Sequence, residues 1–424
     1  MNRSFTFLLA HLLFLSFEAT ASSSVDSVAA DQNPATGRVA VSYQLHGDPA
    51  IVTIDIQTNA TGSAGWVSVG GINLTHMMGA VNRLNKNTRG TSFAYWQPPK
   101  TMAATPAVSN VRAVVTAWPT NNPPPYMAVD LVGTSNVYFY ASQDEIPGGD
   151  GDVRYKTDWL LMRKIPASDI VWRMGPRDNP RCRLYLTENY YMAIYELTQQ
   201  QFSDAAVGLA DNFKRAVTDP LKPISAYRYD MFRGNPGPGS SCRWPDMGHA
   251  VRQDGVLAAM RKRTGIEFDI PMEAQWEFAC RAGTGDEWNG ESLEVIGWYS
   301  GNWSGDSSLT ANGLHCVGMK KPNAWGLYDM HGNVWEVCLE VQWSPDWRTG
   351  DAPLENPTNP RNYTAQSSDG FDGRWLTYCG GGYVDGSGSC GSSSYHNERE
   401  WNDVWCNRYD YLGYRLAAPA VISH

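Results

Sequence analysis

Several absences narrow what this chain can be. No cysteine precedes Cys182, and the eight present (Cys182, Cys242, Cys280, Cys316, Cys338, Cys379, Cys390, Cys406) include no C-x-x-C pair. That spacing excludes the common structural zinc patterns. Charged residues are only 18% of the 424, the net charge is −9, and no long basic run occurs, which argues against a nucleic-acid partner. No G-x-S-x-G, H-E-x-x-H or P-loop is present, so the usual marks of serine hydrolases, zinc proteases and nucleotide enzymes are missing. Beyond the first residues no apolar run reaches the about 20 residues needed to span a bilayer, so no transmembrane segment is expected.

What is present begins with MNRSFTFLLAHLLFLSFEATASSS. A positive start at Arg3 precedes an apolar run, Phe5 to Phe17, and then the small-residue pattern Ala19-Thr20-Ala21. Residues 1–21 read as a signal peptide. The mature protein is therefore expected to be exported: periplasmic, cell-surface or secreted. In that setting an even number of cysteines points to disulfides.

The 17 Trp, 21 Tyr, 40 Gly and 25 Pro suit loop-rich β structure better than a helical bundle. Residues 39–45 and 51–56 are rich in β-branched side chains and are separated by the turn signal Gly47-Asp48-Pro49. More short runs follow at close spacing, which predicts an all-β sandwich over 33–145. The acidic, glycine-rich EIPGGDGD reads as the start of a linker at 146–159. Helix signals appear only afterwards. Thr198 stands three residues before Gln201, as in a capping box. Residues 247–265 and 272–283 look amphipathic, each ending at glycine. From Thr284 onward the chain is mostly loop-like. The expected class is α+β, a loop-rich domain over 160–420 behind the sandwich.

One loop concentrates unusual chemistry: NAWGLYDMHGNVWEVC, residues 323–338. Asp329, Gly332, Val334 and Glu336 place two carboxylates and two carbonyls around a Gly-Asn turn. Oxygen donors so spaced suit a hard cation such as Ca²⁺. The bland alternative is a capped turn at Asp329 and a salt bridge at Glu336.

The same loop resembles the central motif of the formylglycine-generating enzyme (sulfatase-modifying factor) family. VWRMG (171–175), YYMAIYELTQQQF (190–202), IPMEAQWEFACRAGTG (270–285), CGGGY (379–383) and LGYRLA (412–417) are similar to other family blocks in the same order. The resemblance implies a variant of the C-type lectin fold. It implies a structural calcium held by Asp329 and Glu336 with carbonyls of Gly332 and Val334. It also implies an O₂-dependent oxidase that converts a sulfatase cysteine to formylglycine, using copper on two cysteines. Counted from the paired glycines, those positions fall here on Asp385 and Cys390. One thiolate is thus replaced by a carboxylate, a poor ligand for Cu(I).

Cys390 has a second reading, a disulfide with Cys338. Cys379 is a possible substitute thiol. The segment 386–415 mixes rigid aromatics with small polar residues, the composition of a recognition surface. Tyr395, Trp401, Asn402, Trp405 and Arg408 are its candidate ligand contacts, for a polypeptide or glycan. The expected protein is an exported, calcium-stabilised binding or envelope protein without the copper pair. The alternative is an oxidase with a divergent site.

Overall fold

A computed structural model describes residues 23–59, 65–70, 77–98, 111–133, 135–175, 182–233, 251–285, 288, 290–303, 313–341, 353–356, 375–387, 396–400 and 411–422. Residues 1–21, expected to be a signal peptide, lie outside this set. It is a strand-rich fold with few, short helices.

Two small sheets form the N-terminal part. One orders Ser24–Gln32, Val39–His46, Thr91–Trp96 and Met77–Gly79; the other orders Val67–Ser68, Ala50–Thr58 and Arg83–Asn85, with Val111–Pro119 also on Ala50–Thr58. Their positions follow from side-chain alternation, since successive residues of a strand face opposite ways. Val39, Val41, Tyr43 and Leu45 are fully buried while their neighbours are partly exposed. They join Val52, Ile54, Ile56, Ala94 and Trp96 in one apolar cluster. Burying each such aliphatic side chain contributes about 1.5–3 kcal/mol, and the turn at Gly47 (φ 82°) carries the chain from one sheet into the other.

The sheets do not divide where the sequence suggested. A five-stranded sheet runs Val137–Tyr140, Tyr126–Asp130, Trp159–Ile165, Tyr190–Ala193 and Ala417–Pro419. Strands 126–140, assigned to the N-terminal unit, thus pair with the C-terminal one, and Met127 stands opposite Met162. Nor is 146–159 a loose link. Ile146 and Tyr155 are buried, Tyr155 donates to the Pro147 carbonyl at 3.0 Å, and Tyr195 donates to the Asp150 carbonyl at 3.0 Å. The glycines do make a turn, with Gly148 and Gly149 at φ 80° and 78°, but it lies inside the packed unit.

Helix Gln199–Ala205 carries the expected capping box: Gln201 N donates to Thr198 Oγ1 at 3.2 Å, and Thr198 N to Gln201 Oε1 at 3.1 Å. Helix Val256–Thr264 starts later than expected and stops at left-handed Gly265. Helix Glu273–Arg281 is not amphipathic; every residue is buried. Its charges are absorbed by long-range partners. Glu277 accepts from Gly175 N at 2.9 Å, and Arg281 donates to both Glu277 and the Gly175 carbonyl. This helix lies on strands Trp335–Val341 and Trp375–Cys379, the floor of the loop 323–338. Among the described residues no helix is long and apolar enough to cross a membrane.

Candidate functional site

Local hydrogen bonds shape the loop 323–338. Asn323 Oδ1 accepts from Trp325 N and Leu327 N, while its amide donates to the Ala279 and Cys280 carbonyls at the end of helix Glu273–Arg281. Gly332 has φ 86°, and a Cβ there would lie 1.9 Å from the Trp298 carbonyl oxygen, so only glycine fits. The loop is bound to the CGGGY block through Gly332 N to Gly380 O at 2.8 Å and Tyr383 N to Asn333 O at 2.9 Å. It joins the LGYRLA block where Glu336 stands opposite Gly413 in a parallel pair. Three motifs distant in sequence therefore meet at one place.

Charge is buried there. Glu336 is 1% exposed and faces Arg415, which is fully buried. Arg415 Nε lies 3.0 and 2.9 Å from the two carboxylate oxygens and Nη2 lies 2.6 Å from Oε1. Trp276 Nε1 donates to Oε2 at 2.6 Å. Arg415 also donates to the Ala193 and Tyr328 carbonyls. Asp329 is 2% exposed; its Oδ2 accepts from Gly318 N at 2.5 Å and its Oδ1 has no hydrogen-bond partner among the described residues.

A third carboxylate, Glu196, completes the group and escaped the sequence reading. It is fully buried and accepts from Asn333 Nδ2 at 2.7 Å and Val334 N at 3.2 Å. Its trace in the sequence is a lone acid inside the apolar run YYMAIYEL. Burial, then the charges of Asp329 and Glu336, push its carboxyl well above the usual range. Burial likewise raises Asp329 to about 6. Three buried acids share one buried arginine, and the half-buried Lys156 offers further positive charge toward Asp329.

This arrangement fits the expected calcium only in part. Asp329 Oδ1, buried and without a hydrogen-bond partner among the described residues, has a lone pair available to a cation. Glu336 is not: both its oxygens are already engaged by Arg415 and Trp276. The salt-bridge alternative describes Glu336 better. Among the described residues no group of three or more Asp, Glu, His or Cys side chains converges as a metal site. Beside the loop, a cavity of about 330 Å³ is lined by Asp329, His331, Asn323, Lys321 and Glu291. His331 is buried, its Nε2 3.6 Å from Cys280 Sγ.

Asp385 is committed to holding a turn. Its Oδ2 accepts from Trp335 Nε1 at 2.6 Å and from Gly382 N at 3.0 Å, and its carbonyl accepts from Ser300 N at 2.9 Å. A hard oxygen already bearing two hydrogen bonds does not fit Cu(I). Cys390, Tyr395, Trp401, Asn402, Trp405 and Arg408 lie outside the described residues. So does one half of the expected Cys338–Cys390 disulfide; the described sulfur beside Cys338 is that of Cys379, at 3.8 Å.

Comparison with known proteins gives three kinds of likeness. The sulfatase-modifying factor enzyme 1-like domain matches residues 145–420. A formylglycine-generating enzyme of Thermomonospora curvata is 32% identical over 146 residues, 32% of this chain and 47% of that one. A chaperone protein of Paenibacillus barcinonensis, LppX, is 24% identical over 194 residues, 37% of this chain and 64% of that one. Among solved structures, Treponema denticola variable protein 1 is 19% identical, with a TM-score of 0.43 and coverage of 62% of this chain and 95% of that one. The chain spans about half the length of the Thermomonospora curvata enzyme.

Proposed function

This chain belongs to the sulfatase-modifying factor enzyme 1-like domain family, and from that premise we propose that it keeps the family scaffold without the two-thiolate oxidase site and works as an exported binding protein. The observation that carries this reading is Asp385. At the position the resemblance gives to a copper-binding cysteine stands a carboxylate fixed by Trp335 and Gly382. A relative named as a chaperone supports a non-oxidase role for such a domain. Export rests on the signal-peptide pattern of residues 1–21, and the N-terminal part serves as a β-sandwich spacer or adhesion module. The ligand face is assigned to Tyr395, Trp401, Asn402, Trp405 and Arg408 on composition, with a polypeptide or glycan as its ligand. A structural Ca²⁺ is retained at Asp329, because its Oδ1 is buried and open; the carbonyls of Gly332 and Val334 are its proposed companions.

The competing reading is an O₂-dependent oxidase with a divergent site, favoured by identity to a formylglycine-generating enzyme. A Cu(I) titration against a chelator competitor separates the two. Expected is no binding tight enough to resist the chelator, in the wild type or in Cys390→Ser. Tight Cu(I) binding that Cys390→Ser abolishes would establish the oxidase reading instead.

A further inference from the structure

Strands Trp335–Val341 and Trp375–Cys379 run antiparallel, with Glu336 opposite Cys379 and Val337 opposite Tyr378. The register is irregular after Val337, and there Cys338 turns its sulfur to the side of Cys379. Cys338 and Cys379 are 0% and 2% exposed, and their sulfurs lie 3.8 Å apart, in van der Waals contact. The sequence reading pairs Cys338 with Cys390 and offers Cys379 as a substitute thiol; the described sulfurs that stand together are those of Cys338 and Cys379. We infer that Cys338 and Cys379 form a disulfide that locks the strand carrying Glu336 to the strand leading into the Gly380–Asp385 turn.

A disulfide has its sulfurs about 2.05 Å apart, so these two, which stand diagonally across the strand pair because Cys379 is opposite Glu336, must close by a little under 2 Å. The reaction needs an oxidant of the disulfide class, such as oxidised glutathione or the disulfide of a thiol oxidoreductase. One S–S bond forms between Cys338 and Cys379, the oxidant's S–S bond breaks, and the two electrons and two protons of the thiols leave as two reduced thiols. Because both sulfurs are buried, the bridge closes as the chain folds rather than afterwards. The bridge restricts the unfolded chain across residues 339–378, a loop long enough for a sizeable entropic effect. The inference rests on the exported reading, since an oxidising compartment supplies that oxidant.

The test starts from the full mature chain, unfolded and reduced, then refolded with oxidised glutathione. Thiols are blocked by alkylation under denaturing conditions without reductant, and peptides are mapped by mass spectrometry. Expected is a Cys338–Cys379 cross-linked peptide that reductant splits, with Cys280 alkylated. The thermal midpoint should fall by about 5–10 °C on reduction, and the Cys338→Ser/Cys379→Ser double variant should lose that response. Alkylation of both cysteines, or a bridge from Cys338 to Cys390 or Cys406, overturns the inference. The same mapping on protein taken from its native compartment tests export separately. Cross-linking with glutathione but not in the native sample leaves the pairing supported and removes the exported reading.

Discussion

Replacing Arg415 should harm the fold much more than replacing its partner Glu336. Among the described residues Arg415 is the fully buried cation facing Glu336, Glu196 and Asp329. Arg415→Met would take the guanidinium from Glu336 and would strip donors from the Ala193 and Tyr328 carbonyls. Breaking a buried pair from one side costs about 3–5 kcal/mol, and two carbonyls left without donors bring the loss toward the top of that range or beyond. Glu336→Gln keeps the volume and an acceptor for Trp276 Nε1. It also removes one of the charges that push Glu196 up, while Glu196 and Asp329 still compensate Arg415. Its cost should be about 1–2 kcal/mol.

Urea midpoints read the difference directly. At a slope of about 3 kcal/mol per molar urea, the two variants should separate by about 1 M. The Arg415→Met deficit should also shrink in acid. Without the guanidinium, burial holds protons on Glu196 and Asp329 to higher pH than in the unfolded chain, so native stability falls as pH rises through that interval. Equal costs for the two variants, or an Arg415→Met deficit that is the same at pH 5 and pH 8, would refute the idea that the three acids share this arginine.

Other outcomes follow from single features. If Asp329 holds a cation, EDTA should lower the melting midpoint of the wild type, added Ca²⁺ should restore it, and Asp329→Ala should respond to neither. Gly332→Ala places a methyl 1.9 Å from the Trp298 carbonyl oxygen at φ 86°; a loss of about 2–5 kcal/mol is expected in denaturant titration, and a loss under 1 kcal/mol would contradict that geometry. Burial raises Glu145 to about 7, against the opposing hydrogen bond from Ala141 N. The folded chain therefore keeps this proton while the unfolded chain releases it, and stability falls as pH climbs from about 4.5 to 7. Glu145→Gln should flatten that slope and gain about 1–2 kcal/mol at pH 8, the partial exposure of the site reducing the full linkage value; urea midpoints at pH 4.5 and 8 check it.

The features legible in the sequence are those whose causes are local. Alternation at Val39, Val41, Tyr43 and Leu45 marks a half-buried strand because each residue's facing depends only on its neighbours. Thr198 and Gln201 cap one helix end within a single turn. The family blocks are contiguous words, and they meet in space as their order suggests. What was misread depends on partners far along the chain. Helix Glu273–Arg281 looks amphipathic until Glu277 and Arg281 find Gly175, over a hundred residues earlier. The ion pair of Glu336 is not visible near it in sequence, because Arg415, which engages both its oxygens, lies 79 residues later. Glu196 drew no notice because its partners, Asn333 and Val334, belong to another motif. The glycines at 148–149 suggest a break, and the strands on either side of them, Tyr126–Asp130 and Trp159–Ile165, pair in one sheet through contacts that no local signal shows.

The most direct test of the non-oxidase reading is chemical. Purified mature protein, loaded with copper, is incubated in air with a sulfatase-type C-x-P-x-R peptide, and the peptide is examined by mass spectrometry for conversion of its cysteine to formylglycine. Expected is no conversion while a two-cysteine family enzyme converts the same peptide alongside. Conversion that depends on Cys390 would contradict the proposal and show that Asp385 does not disable the site.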